Sequence, residues 1–197
     1  GSDIDGEATS DQSGNSVSSS SDGTIIAIGA MYNDGNVSNA GHTRIYQYNG
    51  SSWSQLGQDI DGEAVDDYSG YSVSLSSDGT ILAVGASYND GNGSNSGHTR
   101  IYQYSGNSWS QLGSDIDGEA AGDLSGNSVS LSSDGTIVAI GATNNDANGT
   151  DSGHIRIYKI DKATNLNVDG NLVVNGNLKV TSNQSVWAQL GADIDGE

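Results

Sequence analysis

The sequence predicts an all-β chain: three tandem four-stranded blades of propeller type that leave a ring incomplete, with a β-hairpin-like insert in the third. The first observation behind this is a repeat. Asp-Ile-Asp-Gly-Glu stands at Asp3–Glu7, Asp59–Glu63 and Asp115–Glu119, a period of 56 residues (59 − 3 and 115 − 59), and a further copy stands at Asp193–Glu197. Gly-His pairs (Gly41-His42, Gly97-His98, Gly153-His154) keep the same register, and each unit also carries a Trp-x-Gln-Leu-Gly stretch, from Trp53, Trp109 and Trp187. A fixed period of this size marks units that bury their apolar faces against one another. The second observation is that apolar residues alternate with period two, and no segment keeps helical spacing over three turns. The third is arithmetic: propellers close with about 4 to 8 blades, and three units fall short.

The second unit justifies the strands in order. Ser72 to Ser76 alternates polar and apolar, as a half-buried strand does. Ser77-Asp78-Gly79-Thr80 carries the Asp-Gly hairpin signal. Ile81 to Ala86 is apolar on both faces, as expected of a strand held between neighbouring sheets. A loop rich in Asn, Gly, Ser and Asp covers residues 87–97, and His98 to Tyr104 follows as a strand rich in β-branched and aromatic residues. A turn at Ser105-Gly106-Asn107 leads to a fourth strand, Ser108 to Gly113, and the acidic stretch Asp115 to Asp123 reads as a solvated linker. The organisation is repeat 1 at 1–56, repeat 2 at 57–112, repeat 3 at 113–160, an inserted β segment at 161–185, and at 186–197 the last strand of repeat 3 with the start of the next phase.

The insert shows in the spacing. The third Trp is due at position 165 (109 + 56) and stands at 187, and the intervening Leu166 to Val180 alternates apolar with polar around Asp-Gly and Asn-Gly turns. This stretch resembles the short repeats in the stalks of phage-type tail fibres and some surface adhesins.

Composition narrows the function classes. Net charge is −19 with six Lys and Arg together, a balance that repels phosphate backbones and anionic lipid, so neither nucleic acid nor membrane insertion is expected. No apolar run approaches the roughly 20 residues that span a bilayer. With no Cys, thiol chemistry and Cys-based zinc sites are excluded. The chain opens with Gly, which reads as a processed or excised product.

The combination Ser-Gly-x-Ser-Val-x-Leu-Ser-x-Asp-Gly, an apolar Ala-x-Gly-Ala strand, a polar loop, Gly-x-x-Arg-Ile-Tyr-x-Tyr and a Trp strand resembles the FG-GAP repeat, the blade of integrin α-type propellers, and is nearest to a bacterial and marine subtype. Ser replaces the Phe of the name at Ser13, Ser69 and Ser125. The resemblance implies a secreted or cell-surface interaction module and a calcium loop in the first hairpin. That loop is depleted, since Ser74, Ser76, Asp78 and Leu82 fall at its ligand positions and Asp22 and Asp134 stand like Asp78.

Other residues are candidates for chemistry. The turns offer carboxylate sets for Ca²⁺: Asp3, Asp5, Glu7 and Asp11; Asp59, Asp61, Glu63 and Asp67; Asp115, Asp117, Glu119 and Asp123. Asn36, Asn92 and Asn148 open sequons at one phase of the repeat and are candidate glycosylation sites; Asn49 and Asn183 open two more. His42, Arg44 and Tyr46, with His98, Arg100 and Tyr102 and with His154, Arg156 and Tyr158, share one strand face that is a candidate ligand face for glycan. No Ser, His and acid are singled out as a catalytic trio, and threefold copying of every candidate argues against an enzyme. Arg44, Arg100 and Arg156 are expected to pair with blade carboxylates, and the three Trp to anchor outer strands. The expected function is a non-enzymatic extracellular structural or adhesion module that forms a homo-oligomer or filament through blade or strand pairing. The alternatives are a calcium-dependent or glycan-binding propeller domain and a spacer in a tail-fibre-like protein.

Overall fold

The computed structural model describes residues 2–161 and 187–196. Among them the fold is all-β: three antiparallel four-stranded sheets follow one another along the chain, and they do not close into a ring. The first contains β1 (Ser16–Ser19), β2 (Ile25–Ala30), β3 (His42–Tyr48) and β4 (Trp53–Gln55). The second contains β6 (Ser72–Leu75), β7 (Ile81–Ala86), β8 (His98–Tyr104) and β9 (Trp109–Gln111). The third contains β11 (Ser125–Leu131), β12 (Ile137–Ala142), β13 (His154–Ile160) and β14 (Trp187–Gln189). The expected insert lies outside the described residues.

The hairpin turns are closed by the acid that the sequence places there. Asp22 Oδ1 accepts hydrogen bonds from Ser20 Oγ, Thr24 N and Thr24 Oγ1, and Asp78 and Asp134 do the same for their own Ser and Thr. These bonds, the Thr24 backbone N–H foremost, hold the Asp22 carboxyl below its ordinary value.

The acidic stretches are not free linkers. Each contributes a short fifth strand: β5 (Ile60–Asp61), β10 (Ile116–Asp117) and β15 (Ile194–Asp195). These pair with β3, β8 and β13, as in Thr43 with Ile60 and His42 with Asp61. The reason is the isoleucine between the two acids, for Ile60 and Ile116 are buried in the inter-blade core. Gly62 follows because a Cβ there would lie 2.0 Å from the Ala40 carbonyl oxygen.

The core sits between blades rather than within one. Ala27, Ile45 and Ile60 of the first blade pack on Val73, Leu75, Leu82, Val84, Tyr102 and Trp109 of the second. Ile81, Ala83, Ile101, Leu112 and Ile116 of the second pack on Val138, Ile140, Tyr158 and Ile160 of the third. Polar links repeat at both junctions. Ser18 Oγ accepts from Leu75 N, and Ser74 Oγ from Leu131 N. Trp109 Nε1 donates to Leu56 O and Trp187 Nε1 to Ser114 O, so these two Trp anchor their outer strands to the preceding blade.

Each blade therefore has a forward face, turned to the next blade, and a rear face, turned to the previous one. The forward face of blade 3 and the rear face of blade 1 have no neighbour among the described residues. Ile194, Ile155 and Ile137 are 54%, 43% and 38% exposed, where the equivalent Ile116, Thr99 and Ile81 of blade 2 are 1%, 0% and 0%. On the other side Val17 is 67% exposed and its equivalent Val73 is 8%.

Candidate functional site

The chemistry-bearing residues meet at the junctions, and the splitting of each acidic stretch brings them there. Its first half belongs to one blade as the fifth strand, and its second half enters the next. Arg100, on β8, reaches back across this seam: its guanidinium donates to Asp61 O at 2.7 Å and pairs with Glu63 at 3.4 Å. Arg44 does the same with Asp5 O and Glu7, and Arg156 with Asp117 O and Glu119. Each guanidinium also lies over the tyrosine two residues on, Tyr46, Tyr102 or Tyr158. The expected pairing of these arginines with blade carboxylates is present in all three units.

Beside each arginine, the histidine starting the third strand lies between two carboxylates from different turns. The three groups are Glu7, His42 and Asp59; Glu63, His98 and Asp115; and Glu119, His154 and Asp193, each with its ligand atoms within 4.8 Å of one another. His42 Nδ1 is 3.8 Å from Glu7 Oε2 and 4.0 Å from Asp59 Oδ2. His98 Nδ1 is 3.6 Å from Asp115 Oδ2. His154 Nδ1 is 3.7 Å from Glu119 Oε2 and 3.8 Å from Asp193 Oδ2. The rings are buried and the carboxylates are partly exposed, so each group opens to solvent on its acidic side. Burial pushes His98 down to about 4, with Arg100 adding to the effect, and burial also lowers His42 against the opposing pull of Asp59. Burial raises the Glu63 carboxyl, with Arg100 acting the other way.

The sequence-derived carboxylate sets are divided by the fold. Asp11, Asp67 and Asp123 are buried and each closes a local turn, accepting from Ala8 N, Ala64 N or Ala120 N. The same oxygens accept from the side chains of Asn33, Asn89 and Asn145. Asp5, Asp61 and Asp117 present backbone carbonyls to the arginines, and Asp3 is exposed. The acids that gather with a third ligand-type group are the glutamate of one turn and the first aspartate of the next.

The other candidates also lie at this seam. His42, Arg44, His98, Arg100, Tyr102, His154, Arg156 and Tyr158 are buried, and Tyr46 is half-buried. Asn36, Asn92 and Asn148 are exposed, but each side-chain amide already donates across the seam, to Gly62 O, Gly118 O or Gly196 O. Gln55, Gln111 and Gln189 escaped sequence reasoning. Their amides donate to Oδ1 of Asp59, Asp115 and Asp193, and the only signal was a Gln fixed four residues before the first Asp of each turn.

Among the described residues no helix is long and apolar enough to cross a membrane. No curated protein matches the sequence. Among solved structures, the chain is similar to a candidate 6-phosphogluconolactonase from Bacteroides uniformis, with TM-score 0.50 and 14% identity over 74% of this chain and 36% of that one. It also matches Sqt1 of Saccharomyces cerevisiae at TM-score 0.48 and 14% identity, over 77% of this chain and 33% of that one. The chain thus spans about a third of the length of the solved structures it matches, and the likeness concerns the fold. The family model described as "FG-GAP repeat" matches twice, at residues 59–102 and 115–158, which identifies these two stretches as FG-GAP-type repeats and supports an FG-GAP-type repeat protein.

Proposed function

We propose that this propeller-type module is a non-enzymatic, extracellular structural or adhesive unit that associates with further copies of itself, blade face to blade face. The observation that carries the reading is the pair of uncovered faces. A groove of about 390 Å³ on the forward face of blade 3 is lined by Gly141, Ala142, Gly153, His154, Ile155 and Ile194, among others. These positions correspond to those that hold the next blade at the two internal junctions. There, Gly41 bridges Ser69 and Gly97 bridges Ser125 in parallel, and Ser16 and Ser72 hydroxyls donate to Gly70 O and Gly126 O. The rear face of blade 1, with Val17 outward, is the same kind of surface that blades 2 and 3 bury.

One occupant fits both surfaces: a second copy, docked head to tail. Apolar faces of this kind rarely stay open in soluble monomers. A head-to-tail contact closes a larger propeller if the rotation permits and builds a filament if it does not. An extracellular setting accords with the FG-GAP repeats and the acidic surface.

Light scattering on the untagged chain at increasing concentration tests this. The mass should rise above that of one chain, and Ile155→Lys or Val17→Lys should each return it to monomer. A single-chain mass at up to about 100 µM, where contacts of even modest affinity are populated, would overturn the reading.

A further inference from the structure

We propose that each blade carries a binding site for a divalent transition cation of the zinc, manganese or cobalt type, ligated by the histidine of the third strand, the glutamate of the turn before it and the first aspartate of the turn after it. The sites would be Glu7, His42 and Asp59; Glu63, His98 and Asp115; and Glu119, His154 and Asp193. All three lie within one chain, so the proposal stands independently of self-association.

The inward oxygens are free and the outward ones are held. Arg44 takes Glu7 Oε1 and leaves Oε2 toward His42, while Gln55 takes Asp59 Oδ1 and leaves Oδ2 toward the same nitrogen. In the third blade Arg156 and Gln189 hold Glu119 Oε1 and Asp193 Oδ1, again leaving Oε2 and Oδ2 toward His154. Outer partners that orient ligating carboxylates in this way are a regular part of metal sites.

His154 supplies the second observation. Its side chain is 0% exposed, and neither ring nitrogen has a hydrogen-bond partner. Buried polar atoms nearly always have one, and an ion is among the recognised explanations where they do not. The 3.7 and 3.8 Å separations from Nδ1 to its two carboxylates are too long for charge-assisted hydrogen bonds, which run at about 2.7–2.9 Å. They are close to the roughly 3.3–3.6 Å between neighbouring ligand atoms around a four-coordinate ion with bonds of about 2.0–2.2 Å. Two carboxylates and a neutral imidazole carry charge −2, which a divalent ion cancels. The nitrogen donor selects the cation, since Ca²⁺ and Mg²⁺ prefer all-oxygen sets. Partial exposure of the acids leaves a path of entry and room for water as a further ligand.

The test is titration of the untagged chain with ZnCl₂ by calorimetry, with Co²⁺ absorption as a readout of ligand geometry. Three equivalents should bind to the whole chain. Asp115→Asn, which keeps an oxygen for Gln111, should reduce uptake to two, and Glu63→Gln, from a different segment and half-exposed, should act likewise. Circular dichroism checks that each variant folds, and the histidine proton resonances should shift with zinc. Zinc uptake that neither variant changes would overturn the proposal, as would calcium displacing zinc at equal concentration.

Discussion

Gly141 separates docking from folding. At the internal junctions its equivalents lie against the next blade, where a Cβ on Gly29 or Gly85 would meet the Gly70 or Gly126 carbonyl oxygen at 2.1 Å. Ordinary contact begins at 3.4 Å, so the blades would have to part by 1.3 Å (3.4 − 2.1). Overfilling a packed contact of this kind costs about 1–3 kcal/mol. On the open face of blade 3 the three atoms nearest a Cβ at Gly141 all belong to Ser128, the first being Oγ at 2.4 Å, and a hydroxyl can rotate aside. Gly141→Ala should therefore leave the thermal midpoint of the chain almost unchanged, while weakening association by roughly 5- to 150-fold. Gly85→Ala should instead destabilise the chain itself by about 1–3 kcal/mol. Sedimentation velocity reads the first effect and urea unfolding the second. Association of Gly141→Ala equal to that of the parent, alongside a destabilised Gly85→Ala, would refute the docking geometry.

Burial raises the Tyr102 hydroxyl to about 12, and the unfolded chain ionises near 10. The native state keeps its proton longer, so the contribution is intact below about pH 10 and is lost as pH rises toward 12, by roughly 2–3 kcal/mol. Urea midpoints across that range should fall, and Tyr102→Phe should flatten the fall; an equal slope in the variant would contradict this. Trp109→Ala should cost about 3–5 kcal/mol in chemical denaturation, and Trp53→Ala clearly less, because Trp109 is buried at a junction and Trp53 is half-exposed on the rear face of blade 1. Asp67→Ala should cost about 2–4 kcal/mol by the same assay, since it strips a buried charged acceptor from Ala64 N and the Asn89 amide.

The blades were legible because strand alternation and turn chemistry agree within each unit. Ser72 to Ala86 reads as strand, Asp-Gly turn, strand, and β6 and β7 lie there. The fifth strand was hidden because Asp-Ile-Asp-Gly-Glu is acidic enough to pass for a solvated linker, although one isoleucine carries its burial. Period-two geometry groups His98, Arg100 and Tyr102 on one strand face, but what covers that face is decided by a turn distant in sequence. The ligand-type groups were illegible for the same reason: Glu63, His98 and Asp115 lie in three separate segments, and only the staggered passage of each turn from one blade to the next brings them together.

The most direct measurement uses the absence of cysteine from the chain. Within the molecule Ser21 N donates to Ser77 O and Ser77 N to Ser133 O, blade after blade. Head-to-tail docking continues the series, placing Ser133 of one copy against Ser21 of the next. Mixed Ser21→Cys and Ser133→Cys variants should form a disulfide-linked heterodimer under mild oxidation, as Ser77→Cys with Ser133→Cys should within one chain. If the intramolecular pair closes and the mixture yields no heterodimer beyond random pairing, the open blade faces are not completed by another copy.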